Sequence, residues 1–165
     1  DTAQLNTLDG KLSTLKTSQI AALTSDQLKT LSSADLSALR SDQVQALTTA
    51  QIQALDTAQV NNLDSQLSNL KTNQIAALTS DQVKTLASAD FALLSSGQIG
   101  ALTTAQLSVV TTAQLSALDS SQLGGLTTAQ IKALDTPARL KEQFGVETMD
   151  DVFQQLARHA VRKAD

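Results

Sequence analysis

The chain has no cysteine, no tryptophan and no tyrosine, and only one proline, one methionine and one histidine in 165 residues. Without thiols there can be no disulfide, thiolate metal site or cysteine nucleophile. This does not set the compartment, because a reduced cytoplasm and export of an unfolded chain both tolerate it. The large aromatics are Phe91, Phe144 and Phe153, so the core has to be built almost wholly from Leu, Ile, Val and Ala. No apolar run approaches the ~20 residues that span a bilayer. No signal-peptide pattern is present. The first residue already lies inside the repeat described below, so an excised piece of a longer protein is expected. The length suits one domain.

Charge is scarce and mildly acidic, with a net of −4 from 12 Lys and Arg against 16 Asp and Glu. The excess falls in residues 1–135, while residues 136–165 are balanced. An acidic surface poor in aromatics matches neither phosphate backbones nor stacked bases, which argues against a nucleic-acid partner. His159 has no cysteine, tyrosine or second histidine to join it, and reads as a solvent-facing residue. The chain therefore reads as no enzyme, with no catalytic, cofactor-binding or metal-binding residue assigned and no cofactor implied.

What the chain has is repetition. The unit reads Thr, Thr/Ser, Ala/Asp, Gln, Ile/Leu/Val, variable, Ala, Leu, as in Thr48 to Leu55, Thr103 to Val110, Thr111 to Leu118 and Thr127 to Leu134. A glutamine recurs every eight residues from Gln19 to Gln59 and from Gln66 to Gln130, with Asp35 and Asp90 standing in at two places. Two steps, Gln4 to Lys11 and Gln59 to Gln66, are seven residues long. They lie 55 residues apart and reveal a second period: 1–55 aligns on 56–110 without gaps, and a partial third copy starts at Thr111. Asp35 returns as Asp90, and Leu36 returns as Phe91.

Each octad carries a helix start. The first Thr can accept from the backbone N–H three residues on, and the Gln there can reach back to the N–H of the Thr, which makes a capping box. Leu before the cap and Ile, Leu or Val at the fourth helical position are placed as a hydrophobic staple. Asp26, Asp42 and Asp81 in the first turn suit the positive end of the helix dipole. Helices this short cannot persist alone, since isolated ones need ~12–15 residues even to be marginal. They have to stack. The fold expected over 1–135 is an all-α solenoid, or superhelix, of helices about two turns long, with Leu, Ile and Ala inside and Thr, Ser, Gln and the variable position facing water.

Two other geometries fit less well. In one continuous helix an octad overshoots two turns by roughly 80°, so the apolar positions would spiral and form no seam. A β-solenoid would use the Thr and Ile, but Ala, Gln, Asp and Leu dominate the unit and most units lack a turn glycine. A leucine-rich repeat needs a period of about 20–29 residues and an asparagine ladder, which Asn61, Asn62, Asn69 and Asn73 do not supply.

The pattern stops after Asp135. Thr136 and Pro137 open a helix to about Phe144, with Gly145 as its stop. Thr148 caps a longer helix to about Lys163, whose apolar stripe is Met149, Val152, Phe153, Leu156 and Ala160. Residues 136–165 read as a C-terminal helical cap, since solenoids need terminal units with a polar outer face. A docking helix for a partner is the alternative.

Other features have structural readings. Asp26, Asp42, Asp81, Asp35 and Asp90 could hold Ca²⁺ only by converging, because hard cations take six to eight oxygens; spread one per unit, they read as capping residues. Rows of Thr and Gln could bond a sugar, but the Thr hydroxyl already has a capping task, which argues against a small-molecule ligand. Gly124 and Gly125 make no phosphate loop. With Gly97 and Gly100 they read as close backbone approaches in place of the usual alanine.

The phrase Leu-Thr-Thr-Ala-Gln-Ile/Val-x-Ala-Leu, spanning roughly Asp1 to Leu134, resembles the repeats of large bacterial secreted and cell-surface proteins of adhesin-like or RTX-like type. The resemblance implies a structural repeat scaffold, a spacer or protein-binding surface, that is extracellular or on the bacterial cell surface. It implies no calcium role, because the Gly-Gly-x-Gly-x-Asp nonapeptide is missing. The Leu-Thr-x-x-Gln-Val opening also resembles transcription activator-like effector repeats, but their longer period and base-reading loop are missing. The alternative is a cytoplasmic or translocated interaction module that binds a protein in the solenoid groove. A protein partner or self-association fits either reading.

Overall fold

The octad does restart the helix. The chain's computed structural model describes residues 11–134. Among them the α-helices are Thr17–Ala21, Ser25–Lys29, Ser33–Ser37, Ser41–Ala46, Thr49–Ala54, Thr57–Asn61, Thr72–Ala77, Ser80–Thr85, Ser88–Ala92, Ser96–Gly100, Thr104–Leu107, Thr112–Ala117, Ser120–Gly124 and Thr128–Ala133. No strand occurs among the described residues. Neither a continuous rod nor a β-solenoid survives, because Thr48, Thr103 and Thr111 all have extended backbones that end one helix and open the next.

The capping box explains each restart. Thr48 accepts from the Gln51 N–H at 3.2 Å, and Gln51 Oε1 accepts from the Thr48 N–H at 2.7 Å. Where Lys16, Arg40 or Lys71 holds the cap position, only the return bond to the glutamine is made, because a cation has no acceptor to offer. The staple forms as well: Leu47 and Ile52, flanking Thr48, are both buried. The two seven-residue steps give 3₁₀ turns, at Leu12–Thr14 and Asp64–Asn69. A 3₁₀ turn rises ~2.0 Å per residue against ~1.5 Å for α, so it spans its side of the coil with less chain. Asp64 enters the second turn at φ 48°, a left-handed conformation that aspartate tolerates better than most residues.

The chain winds into coils. Helices three units apart pack together, for example Ser25–Lys29 with Thr49–Ala54 and Ser88–Ala92 with Thr112–Ala117. The glutamines reach back to the unit four before their own. One coil therefore takes between three and four octads, and each helix lies across the junction of two helices in the coil before, like staggered brickwork. One aliphatic core runs through all coils from Leu12 to Leu134 and includes Phe91, which is fully buried at the place Leu36 holds one 55-residue repeat earlier. The expected C-terminal cap over 136–165, with His159 and the helices from Pro137 and Thr148, lies outside the described residues, as does 1–10.

Candidate functional site

One expectation is overturned. Ten of the octad glutamines do not face water: Gln43, Gln51, Gln59, Gln74, Gln82, Gln98, Gln106, Gln114, Gln122 and Gln130 are all buried. The reason lies in the second half of the amide. Oε1 accepts from the N–H of its own cap residue, while Nε2 donates to backbone carbonyls of the coil before. Gln43 Nε2 meets the carbonyls of Leu12 and Leu15 at 2.8 Å each. Gln51 meets those of Ile20 and Leu23 at 3.0 and 2.7 Å. Gln82 meets those of Ile52 and Leu55 at 2.9 and 2.6 Å.

These carbonyls need a partner. The last four C=O groups of any helix have no intrahelical donor, and in helices of four to six residues that includes nearly all of them. Each of these ten glutamines thus caps the start of its own helix and the end of a helical turn one coil earlier. Every such hydrogen bond contributes about 1 kcal/mol net, and an unmatched buried carbonyl costs ~1–3 kcal/mol. No buried side-chain nitrogen or oxygen lacks a partner among the described residues.

Two units break the rule. Asp35 keeps the local half: Ser32 donates to its carboxylate through its N–H at 3.2 Å and its hydroxyl at 2.7 Å. Asp90 does not cap as expected. Its helix, Ser88–Ala92, has Ala87 at the cap position and no side-chain cap bond. Asn61 of the preceding coil takes over, accepting from the Ala87 N–H at 3.2 Å and donating to the Thr85 carbonyl at 3.0 Å. Burial holds the Asp90 carboxyl above the usual carboxylate range, and the charge and hydrogen bond of Asp64 add to this. The Leu63 carbonyl, which a glutamine at position 90 would be placed to reach, instead accepts from the Gln66 N–H of the 3₁₀ turn at 2.8 Å. The shortened unit and the aspartate belong together: where the turn supplies the donor, an acceptor-only side chain can stand opposite.

The remaining acids do not gather. Asp26, Asp42 and Asp81 each lie in the first turn of a separate helix. Asp42 pairs with Arg40 at 3.0 Å, and that hydrogen bond holds its carboxyl below the usual range. No group of three or more His, Cys, Asp or Glu able to hold a metal occurs among the described residues. No described helix is long and apolar enough to cross a membrane.

The glycines divide. A Cβ on Gly100 would sit 2.9 Å from the Gly125 carbonyl oxygen, and one on Gly125 would sit 2.8 Å from that of Ser96. Here two coils approach through bare backbone, as expected. Gly97 and Gly124 do not follow: a Cβ at Gly97 would make only an ordinary contact at 4.0 Å, and Gly124 faces open space.

The seam's local signature is Leu-Thr-Thr-Ala-Gln, a helix end, a cap and a clamp in succession. With a preceding Ala it stands at Ala46 to Gln51 and again at Ala101 to Gln106. No curated protein and no solved structure matches the chain. A family model described as the ALTTAQ repeat matches it three times, over residues 29–65, 83–118 and 105–136, which together cover more than half of its length. The repeat that builds the seam is the one that defines the family, and this chain belongs to the ALTTAQ repeat family.

Proposed function

We propose that the chain is a non-enzymatic structural repeat scaffold, serving as a spacer or protein-binding surface in a large bacterial exported or surface protein. The observation that carries this reading is the seam itself: the most regularly recurring polar group in the sequence, the glutamine amide, holds coil to coil and is not presented to a ligand. The surface left over is made of small polar side chains such as Thr48, Thr49 and Gln53, which suits a stiff element placed between other parts. The likeness of the octad to secreted and surface repeats supports an exported location.

Antibodies raised against the 165-residue chain test the location. Labelling of intact cells or of the culture medium is expected in the organism that makes the protein. Labelling only after lysis would overturn the exported reading and favour an intracellular module that grips a protein partner.

A further inference from the structure

The ten buried glutamines tie corner to corner between coils, but the corner at Leu63 and Asp64, in the middle of the described residues, has no such tie on either side. Toward the coil before, the octad glutamine is Gln66 of the 3₁₀ turn Asp64–Asn69. Gln59 reaches the carbonyls of Leu28 and Leu31, and the matching targets of Gln66 are those of Leu36 and Leu39, eight residues on. Gln66 does not reach them: it is half-buried, its Oε1 accepts from Asn69 Nδ2 at 2.8 Å, and its Nε2 donates to no carbonyl among the described residues. Toward the coil after, Asp90 stands where a glutamine would clamp Leu63. What remains is a pair of asparagines. Asn62 Nδ2 donates to the Ser33 hydroxyl at 2.7 Å in the coil before. Asn61 bonds Thr85 and Ala87 in the coil after, at 3.0 and 3.2 Å. Both are only half-buried, unlike the clamping glutamines, so water competes for their bonds.

Where the helix Ser88–Ala92 stacks on this turn, Asp90 and Asp64 meet carboxyl against carboxyl. Two ionised carboxylates are acceptors only and repel each other. One proton taken up from solution gives the pair a donor and turns the repulsion into a hydrogen bond. The groups around them do not relieve the repulsion. On the other side of Ser88–Ala92 the helix Thr112–Ala117 brings Thr112, Gln114 and Ser116, none of which titrates. On the other side of the turn the helix Ser41–Ala46 brings Asp42, which Arg40 already holds at 3.0 Å. The set also travels together in the sequence, since Asn6, Asp9 and Asp35 stand 55 residues before Asn61, Asp64 and Asp90. We propose that the Leu63–Asp64 corner is a proton-gated hinge, which opens while the clamped corners stay shut when both carboxyls are ionised, and which closes when Asp64 and Asp90 share one proton. Such a hinge lets an otherwise stiff solenoid bend at one place. It is independent of where the protein works, and its failure leaves the scaffold reading untouched.

Hydrogen exchange of the full 165-residue chain across the range from acid to neutral pH, corrected for the intrinsic exchange rate at each pH, tests this. Protection over residues 60–70 and 86–92 is expected to fall as pH rises, by about tenfold for each pH unit by which closing raises the shared carboxyl. Protection over the clamped helices Thr49–Ala54 and Thr104–Leu107 should change little. Asp64→Asn and Asp90→Asn each remove one charge and put an amide donor in place of the proton. Either variant should hold the corner shut at neutral pH and flatten the local pH dependence. Carbon-13 carboxyl shifts give a second reading: Asp64 and Asp90 should titrate as a coupled pair in two steps. Two independent titrations at ordinary carboxyl values would overturn the proposal. So would a loss of protection spread evenly along the solenoid, local protection that does not change with pH, or a local loss that persists in both variants.

Discussion

A side chain that must accept at one end and donate at the other cannot be exchanged for its acid. Glutamate would keep the capping oxygen of Gln82, which accepts from the Thr79 N–H at 2.7 Å. Its second oxygen would then point at the carbonyls of Ile52 and Leu55, to which Gln82 now donates. Two lost bonds and a buried charge should destabilise Gln82→Glu by about 3 kcal/mol or more at neutral pH. Protonation restores a donor, so the folded-state pKa of that glutamate would be raised and the loss should shrink as pH falls toward its unfolded value of ~4.3. Urea titrations at pH 7 and pH 4 would read both effects; an equal loss at the two pH values would disprove the clamp. The capping half of this glutamine was legible because its partner lies three residues away. The clamping half was missed because its partners lie 27 and 30 residues back. A signal was present: the capping box accepts Glu as readily as Gln, yet residues 1–135 contain no glutamate. A position that takes Gln and refuses Glu is asking for an N–H donor. Asp90 makes the opposite case. Its folded-state pKa is raised, so its charge opposes folding above that pKa, and the penalty fades as pH falls through it toward the unfolded value. Asp90→Asn should therefore raise the urea midpoint at pH 7 and flatten its pH dependence in the acid range.

At the scale of one helix, the octad was readable because everything that starts it is local: cap, return bond and staple all lie within six residues. The corners were readable for the same reason, since an extended Thr between a closing Leu and a new first turn ends the helix wherever it occurs. Side-chain size between coils was only partly readable. Gly97, Gly100, Gly124 and Gly125 look alike in sequence, but only Gly100 and Gly125 face backbone from another coil. Gly125→Ala has to push its Cβ away from the Ser96 carbonyl, 2.8 Å off, and the brickwork on both sides resists. A loss of about 1–3 kcal/mol is expected, as for other overpacked positions. Gly124→Ala, one residue earlier, meets nothing within 4 Å and ends the helix Ser120–Gly124. It should be neutral or stabilise by up to ~1 kcal/mol, because alanine loses less backbone entropy than glycine in a helix. Paired denaturation curves that move together would show that backbone contact between these coils is not what distinguishes the two positions.

At the scale of the molecule, the octad sets how long each side of a coil is but not how many sides close it. That number depends on the angle between successive helices at each corner and on the reach of the glutamine, and neither is a property of one unit. The 55-residue period does carry it. Packed neighbours are three units apart and clamped ones four, so a coil holds about three and a half units and a position returns above itself only after two coils. Seven units make two such coils, and seven units are what the long repeat contains. The 3₁₀ turns, the aspartates and the Leu36/Phe91 exchange all recur at that interval. Brickwork of this kind ties each unit to two below and two above, which makes unfolding spread. Leu55 is buried, packs in the shared core, and offers its carbonyl to Gln82 of the next coil. Leu55→Asp removes aliphatic burial valued at ~2–5 kcal/mol and leaves a charge in its place. Because the units are coupled to their neighbours, the damage should reach at least one coil in each direction. Hydrogen exchange followed by mass spectrometry should show the Ser25–Lys29, Thr49–Ala54 and Ser80–Thr85 segments losing protection together, with Thr128–Ala133 least affected. Loss confined to the mutated octad would mean that each unit stands alone, which helices of five or six residues have no physical means to do.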